Sequence, residues 1–258
     1  MARIYPLFSS SKGNAAFIGN SSGGILIDAG VTYKRLCEGL ENCGLSIDAV
    51  KAVFITHEHS DHIKGLPVLT KRKNIPVFAQ KGTLNYLLNC DYINSEGFEI
   101  SEKVTVCDME IACFDTPHDS LQSCGYKIAM GDGKICCTCT DLGYMPDEVF
   151  KMLSGSDLVL LESNYDDKML LNGPYPYYLK SRIRSQSGHL SNKDCAENVR
   201  KLIELGTSRI ILGHLSQENN TPKTAENAVL KMLDGFERNR DYLLEVAPVE
   251  TQGKCMIF

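Results

Sequence analysis

The chain has 258 residues, 43% of them hydrophobic and 23% charged, with a formal net charge of −5. These values are ordinary for a globular protein and exclude long disordered regions. A chain of this length buries roughly three quarters of the surface its unfolded form exposes, so it needs no staple to fold. The acidic total excludes a protein that coats nucleic acid over its whole surface, but not a local basic groove.

The first residues, Met1 to Tyr5, run straight into a strand-like pattern with no signal-peptide character. Nowhere does an apolar run approach the roughly 18 residues of a membrane span. The spacing predicts strands at Arg3–Phe8, Ala15–Gly19 and Gly24–Asp28, the first two joined by the turn-forming loop Ser9-Ser10-Ser11-Lys12-Gly13-Asn14. A helix is expected over Tyr33–Cys43, then the apolar strand Ala52–Thr56, then a helix over Ile63–Lys73. Next come a short strand at Pro76–Ala79 and a helix at Thr83–Asn89.

From Phe98 to Thr140 the pattern is β, with turns at Asp108 and Gly131-Asp132-Gly133. The second half alternates: helix Pro146–Ser154, strand Asp157–Glu162, helices Asp166–Leu171, Tyr175–Ser185 and Ser191–Leu205, strand Arg209–Leu212, helix Lys223–Phe236, and closing strands. This order implies two sheets in the middle and helices outside, an αββα sandwich forming one domain over residues 1–258. The eleven cysteines are an odd number, which points to reduced thiols and a cytoplasmic location. Cys136, Cys137 and Cys139 sit in a β run, so neighbours face opposite ways and read as buried small hydrophobes rather than as a metal cluster.

Three of the six histidines lie within six residues, in His57-Glu58-His59-Ser60-Asp61-His62, directly after the apolar strand Ala52–Thr56. A strand end opening into a loop aims several side chains at one point. Imidazole nitrogen and carboxylate oxygen suit Zn²⁺, Mn²⁺ and Fe²⁺, so the donor set does not fix the metal. Downstream, His118 follows a β stretch in Asp115-Thr116-Pro117-His118-Asp119, Asp141 ends the strand Ile135–Thr140, and His214 follows Arg209–Leu212.

The motif resembles that of the metallo-β-lactamase superfamily, whose fold is the αββα sandwich. The resemblance implies that His57, His59 and His118 hold one ion, that Asp61, His62 and His214 hold a second, and that Asp141 bridges them. It implies two divalent ions, Zn²⁺ or Mn²⁺ with Fe²⁺ also suited. Two such ions about 3.5–4 Å apart can hold a bridging hydroxide and clamp the attacking and leaving oxygens of a phosphate. The same chemistry serves lactams, thioesters and lactones, so the ligands alone do not choose a substrate.

Further segments narrow the resemblance. They are Leu160-Leu161-Glu162-Ser163-Asn164-Tyr165-Asp166, Gly173-Pro174-Tyr175-Pro176, Lys180 to Arg184, Gly188-His189-Leu190-Ser191-Asn192, and Gly213-His214-Leu215-Ser216 with Asn219-Asn220-Thr221-Pro222. With Ser9–Asn14 and His57–Gly65 they look like the YycJ/WalJ family of bacterial metallo-β-lactamase-fold proteins, from about residue 3 to 235. That resemblance implies a 5′ to 3′ exonuclease on double-stranded DNA, linked to repair. Two departures are visible: Lys12 stands in a loop where the family often reads Ser-Gly-Ser-Ser-Gly-Asn, and Leu142 follows the bridging Asp where Thr is frequent.

His189 is not needed as a ligand. His189 lies just before a helix that Ser191, with Asp194 three residues on, is placed to cap; in nucleases resembling tRNase Z a similar histidine before a helix contacts the scissile phosphate, whereas a plain structural role would have it cap its own helix. Asp61 and His189 are the catalytic candidates. From Lys180 to Lys201 the net charge is +4, which leaves −9 for the remaining 236 residues. Lys71-Arg72-Lys73 forms a second basic cluster. Lys12, Asn14, Asn164, Lys180, Arg182 and Arg184 are candidates for substrate binding. Tyr175, Tyr177 and Tyr178 are available to stack on a base, but packing is expected of at least two of them. Glu162, beside the site, is placed to accept a hydrogen bond from a ligand histidine.

The sequence thus reads as a dinuclear phosphodiesterase acting on nucleic acid, duplex DNA ends in the leading reading. The alternatives are a small-molecule hydrolase (cyclic-phosphate or phosphonate diesterase, thioesterase or lactonase) and a non-catalytic, metal-dependent regulatory DNA-binding protein. No oligomerisation signature is evident, and no membrane association is expected.

Overall fold

A computed structural model describes residues 2–20 and 23–258; Met1, Ser21 and Ser22 lie outside the described residues. The first half of the chain builds one sheet from β1 (Arg3–Phe8), β2 (Ala15–Asn20), β3 (Gly23–Ile27), β4 (Val50–Ile55), β5 (Val77–Ala79) and β6 (Gly97–Glu99). Its helices are α1 (Tyr33–Asn42), α2 (Ser60–Ile63), α3 (Leu66–Lys73) and α4 (Lys81–Asn89). The second sheet takes β7 (Val104–Val106), β8 (Met109–Asp115), β9 (Cys124–Ala129), β10 (Ile135–Cys139), β11 (Leu158–Glu162), β12 (Arg209–Gly213) and β13 (Leu243–Val246). Interleaved with it are α5 (Asp147–Leu153), α6 (Asp167–Asn172), α7 (Tyr177–Ile183), α8 (Asn192–Glu204) and α9 (Pro222–Met232). The last strand, β14 (Met256–Ile257), returns to pair antiparallel with β1 at the edge of the first sheet.

The strand orders are β14-β1-β2-β3-β4-β5-β6 and β13-β12-β11-β10-β9-β8-β7. In each sheet one part is an antiparallel meander and the other a parallel run, β3 to β6 and β10 to β13. The central parallel strands are buried on both faces, which is why Val50–Ile55 and Leu158–Glu162 read as nearly continuous apolar runs rather than alternating ones. Between the sheets lie Ile18, Ile25, Phe54, Ile111, Tyr126, Ile128, Leu158 and Ile211. On the outer face of the first sheet, Leu36, Leu40, Leu66, Leu69 and Leu87 bring α1, α3 and α4 down. On that of the second, Cys195, Val199 and Leu202 of α8 and Ala225 and Val229 of α9 do the same at helical spacing. These are the four layers of the αββα sandwich.

The cysteine run behaves as strand alternation requires. Cys136 faces the inter-sheet core, and Cys137 and Cys139 face the helices. The expected helix over 63–73 is two pieces, α2 and α3, parted at Lys64-Gly65. The Gly65 amide donates to the Ala29 carbonyl at 2.7 Å, and a Cβ there would sit 2.2 Å from the Val31 carbonyl oxygen. That break holds the motif's short helix against the loop after β3. Among the described residues, no helix is long and apolar enough to cross a membrane.

Candidate metal centre and its rim

Strand ends deliver the polar groups of the site, all but His118 from the carboxyl ends of the parallel runs, the place where open α/β sheets bind ligands. From the first sheet come Asp28 after β3 and the His57–His62 segment after β4. From the second come His118 beyond β8, Asp141 beyond β10, Glu162 at the end of β11, and His214 beyond β12. Asp28, Asp141 and His214 have φ of 63°, 57° and 54°. A left-handed conformation is costly for a residue with a Cβ, and three in one cluster mark backbone held in place by its surroundings. Gly30 locks the two loops of the first sheet together. Its amide donates to Asn14, Asn14 donates to the Asp61 carbonyl, and a Cβ on Gly30 would fall 1.6 Å from that carbonyl oxygen.

The sequence-derived ligands converge. His57, His59 and His118 form one group of mutually facing donors, Asp61, His62 and His214 another, and His57, His62 and Asp141 a third that joins them; within each group the donor atoms lie within 4.8 Å of one another. Nδ1 of His59 stands 3.0 Å from His57 Nε2 and 3.3 Å from His118 Nε2. Nitrogens sharing one tetrahedral ion at about 2.0–2.1 Å stand about 3.3–3.4 Å apart, so the spacing suits a small divalent cation.

The outer nitrogens fix how the rings are turned. Nδ1 of His62 donates to Asp28 at 2.8 Å, Nδ1 of His118 to the Gly188 carbonyl at 3.0 Å, and Nδ1 of His214 to Glu162 at 2.8 Å. His57 Nδ1 lies 3.0 Å from the Thr56 hydroxyl, which itself donates to Asp28. Each of these rings is therefore turned with its Nε2 inward, as ligating histidines are. His214 Nε2 and Asp141 Oδ2 are buried with no hydrogen-bond partner. Such orphans are costly unless something of opposite charge meets them. The residues present fit a divalent metal.

Charge divides the site. Burial pushes the His57 imidazole well below its ordinary pKa, reinforced by His62 and His118, and burial also lowers His118. Burial alone would lower His62 and His214 too, but carboxylates overcome it. Asp28, Asp141 and Asp61 hold His62 well above the usual range, and Asp141, Asp61 and Glu162 bring His214 to about 10. Burial raises the acids, yet the histidines more than compensate: they hold Asp61 and Glu162 well below the ordinary carboxylate range and lower Asp141 as well.

His189 stands against this cluster without being one of the expected ligands. Its Nδ1 donates to Glu162 at 2.9 Å, so one buried carboxylate orients both His189 and His214. Its ring centroid lies 5.2 Å from that of His118 and 5.4 Å from that of His214. The cap of α8 is Ser191, whose hydroxyl accepts from the Asp194 amide at 3.0 Å, so His189 does not cap its helix.

The candidate substrate-binding residues separate. Asn14 and Asn164 are buried, and their amides contact the cluster. Asn14 donates to Asp61 at 3.3 Å and lies 3.2 Å from His62 Nε2, while Asn164 donates to the His214 carbonyl at 2.8 Å. Lys180 is also committed locally, donating to the carbonyls of Leu171 and Gly173 at the end of α6. Arg182 grips Asp119 through two hydrogen bonds, at 2.5 and 2.9 Å, and Asp119 lies 3.5 Å from His118 Nε2. Arg184 is half-exposed, 3.7 Å from Asp167, and Lys12 is exposed on the loop that leads to Asn14. Of the three tyrosines only Tyr175 packs, against Tyr165, Leu170 and Ile183. Packing of at least two is thus corrected: Tyr177 and Tyr178 follow Pro176 in the first turn of α7 and stand in solvent, 85% and 74% exposed.

The sequence reading missed Asp28 and Glu58. Asp28 takes the His62 ring and both the amide and hydroxyl of Thr56. Its signal was an acid closing the apolar strand Ile25-Leu26-Ile27. Glu58, inside the histidine motif, accepts the Leu121 amide at 2.8 Å and so pins the loop carrying His118; nothing in its spacing singles it out.

Residues 24–215 match the family described as the beta-lactamase superfamily domain. Exodeoxyribonuclease WalJ of Streptococcus pneumoniae serotype 2 is 34% identical over 233 residues, 88% of this chain and 86% of that protein. Exodeoxyribonuclease YycJ of Bacillus anthracis is 34% identical over 232 residues, 88% of each. The chain belongs to the WalJ/YycJ family of the metallo-β-lactamase superfamily. Its fold agrees: the solved structure of the metallo-β-lactamase-fold protein YhfI from Bacillus subtilis superposes with a TM-score of 0.73 over 97% of this chain and 98% of that one, at 14% identity. Family membership and the donor clusters together make the protein a divalent-metal-dependent hydrolase.

Proposed function

We propose that the protein is a dinuclear phosphodiesterase that digests double-stranded DNA from 5′ ends, in the cytoplasm, as one catalytic domain. The observation that carries this reading is His189: an oriented imidazole at the metal cluster that the ligand set does not require. Relatives named exodeoxyribonucleases support a DNA substrate. In this reading His57, His59 and His118 hold one ion, Asp61, His62 and His214 the other, and Asp141 lies between. Bound there, the ions supply positive charge to the scissile phosphate and lower the pKa of water.

The chain's own groups do the rest. Asp61 faces both His62 and His214, so its carboxylate is placed to ligate and to accept a proton from the attacking water. Glu162 fixes the His189 ring through Nδ1 and leaves Nε2 for the substrate, either to hydrogen-bond a phosphate oxygen or to hold the proton that the leaving oxygen takes up. Arg182, Arg184 and Lys12 are the cations for flanking phosphates. Asn14 and Asn164 act by holding Asp61, His62 and His214 in place.

The test is to incubate zinc- or manganese-loaded protein with 5′-labelled duplex DNA and with bis-(p-nitrophenyl) phosphate. Metal-dependent release of labelled nucleotide from the 5′ end is expected, with His189→Ala losing turnover on both substrates while keeping its metal. Cleavage of the small diester but of no nucleic acid would leave a small-molecule hydrolase in its place.

A further inference from the structure

The stretch from Asn172 to Leu190 contains no acidic residue, although the chain as a whole is at −5. It carries Lys180, Arg182 and Arg184, and it ends at His189. Lys180 donates to the neutral carbonyls of Leu171 and Gly173, which do not cancel its charge. The segment is also fixed. Tyr175 and Ile183 pack with Tyr165 and Leu170, Lys180 ties α7 to the end of α6, and the Ile183 carbonyl accepts the His189 amide at 2.9 Å. The C-terminal end of α7 is thereby pinned to the site, and its N-terminal turn projects outward.

On that turn stands Tyr178, four residues before Arg182. Residues spaced by four share a helix face and lie about 6 Å apart along the axis. Arg182 faces the site, because its guanidinium grips Asp119 beside His118. Tyr178 therefore extends the Arg182 side of α7 away from the metal cluster as a bare phenol ring. Across Asp119 the rim continues to Leu121, 63% exposed, whose amide is held by Glu58. The ring is exposed on a fixed element that has no acid of its own, although Arg182 and Arg184 face Asp119 and Asp167 from neighbouring segments. Such rings bind nucleic acid by stacking on a base while the cations take the backbone. Tyr177, one position earlier, points about 100° away, on the side of Lys180 and Arg184.

We infer that Tyr178 is a base-stacking subsite, receiving a nucleobase of the strand whose phosphate lies at the metal cluster, with Arg182 taking a phosphate between the two. The inference rests on the phosphodiesterase reading above and adds where the polymer runs: along α7, from Tyr178 past Arg182 to His189. Tyr178 positions substrate and takes no part in the chemistry.

The experiment compares wild type with Tyr178→Ala, Tyr178→Phe and Tyr177→Ala, all metal-loaded, on duplex DNA and on bis-(p-nitrophenyl) phosphate. DNA carrying 2-aminopurine near the 5′ end reports stacking by its quenched fluorescence. Both tyrosines are largely exposed, so melting temperatures are expected to match. For Tyr178→Ala the expected result is a rise in KM for DNA of roughly ten-fold or more. Loss of the quench, unchanged kcat on the small diester, rescue by Phe, and a smaller effect of Tyr177→Ala are expected with it. Wild-type protein that cleaves DNA, with Tyr178→Ala indistinguishable from it, overturns the subsite alone. So does an equal loss on the small diester. Wild-type protein that turns over the diester but no DNA overturns the function itself, and the subsite with it.

Discussion

The two halves of the donor cluster are built on opposite electrostatic plans. His57, His59 and His118 face one another at 3.0 and 3.3 Å, and burial lowers His57 and His118 even though Asp119 and Asp141 stand 3.5 and 3.8 Å from His118 Nε2. Around His62 and His214 stand Asp28, Asp61, Asp141 and Glu162, which draw protons onto both rings. Without a cation the first half is short of charge and the second is compensated by protons. An entering ion meets open nitrogens in one half and must displace protons in the other.

The comparison breaks first at the ligands. His57→Ala with His59→Ala removes two of three nitrogens from the imidazole half, and metal-dependent turnover is expected to fall to background with circular dichroism unchanged. Retained turnover would mean that the carboxylate half works alone. The next effect separates the two carboxylates that act behind the ligands. Asp28→Asn and Glu162→Gln should each cost about 10–100-fold. Asp28 holds the proposed ligand His62, so excess metal should restore most of the kcat of its variant. Glu162 also orients His189, so its variant should stay slow at saturating metal. Equal rescue would dissolve that distinction.

A gentler test uses pH. With His214 at about 10 and His62 also raised, uptake of an ion in the carboxylate half releases protons at neutral pH. Its affinity should therefore rise with pH from 6 to 9, whereas the imidazole half, where burial lowers His57 and His118, should show less change. Calorimetry in buffers of different ionisation enthalpy reads the protons directly. The smallest expected effect is Arg182→Ala, a several-fold higher KM for DNA with the slope of log KM against log salt reduced by about one.

What the sequence disclosed follows the same division. His57, His59, Asp61 and His62 are legible because four donors crowd into six residues at one strand end. His118, Asp141 and His214 are legible only as a set, each after a strand, through their order along the chain. Asp28 escaped notice because a lone acid after an apolar strand is common in turns; its meaning comes from β3 lying beside β4, which puts it 2.8 Å from His62. The αββα layering was legible from the order of strands and helices. The break at Gly65 was not, since it answers to a carbonyl of a distant loop. Tyr177 and Tyr178 were misjudged because their composition suits packing equally well, and only the direction of α7 after Pro176 turns them outward.

The most direct test of two unlike halves is metal content. Protein stripped with chelator, reloaded and desalted should hold two divalent ions per chain, and the His57→Ala/His59→Ala variant one, retained by the carboxylate half. A single ion in the native protein, or loss of both ions from the variant, would contradict the account.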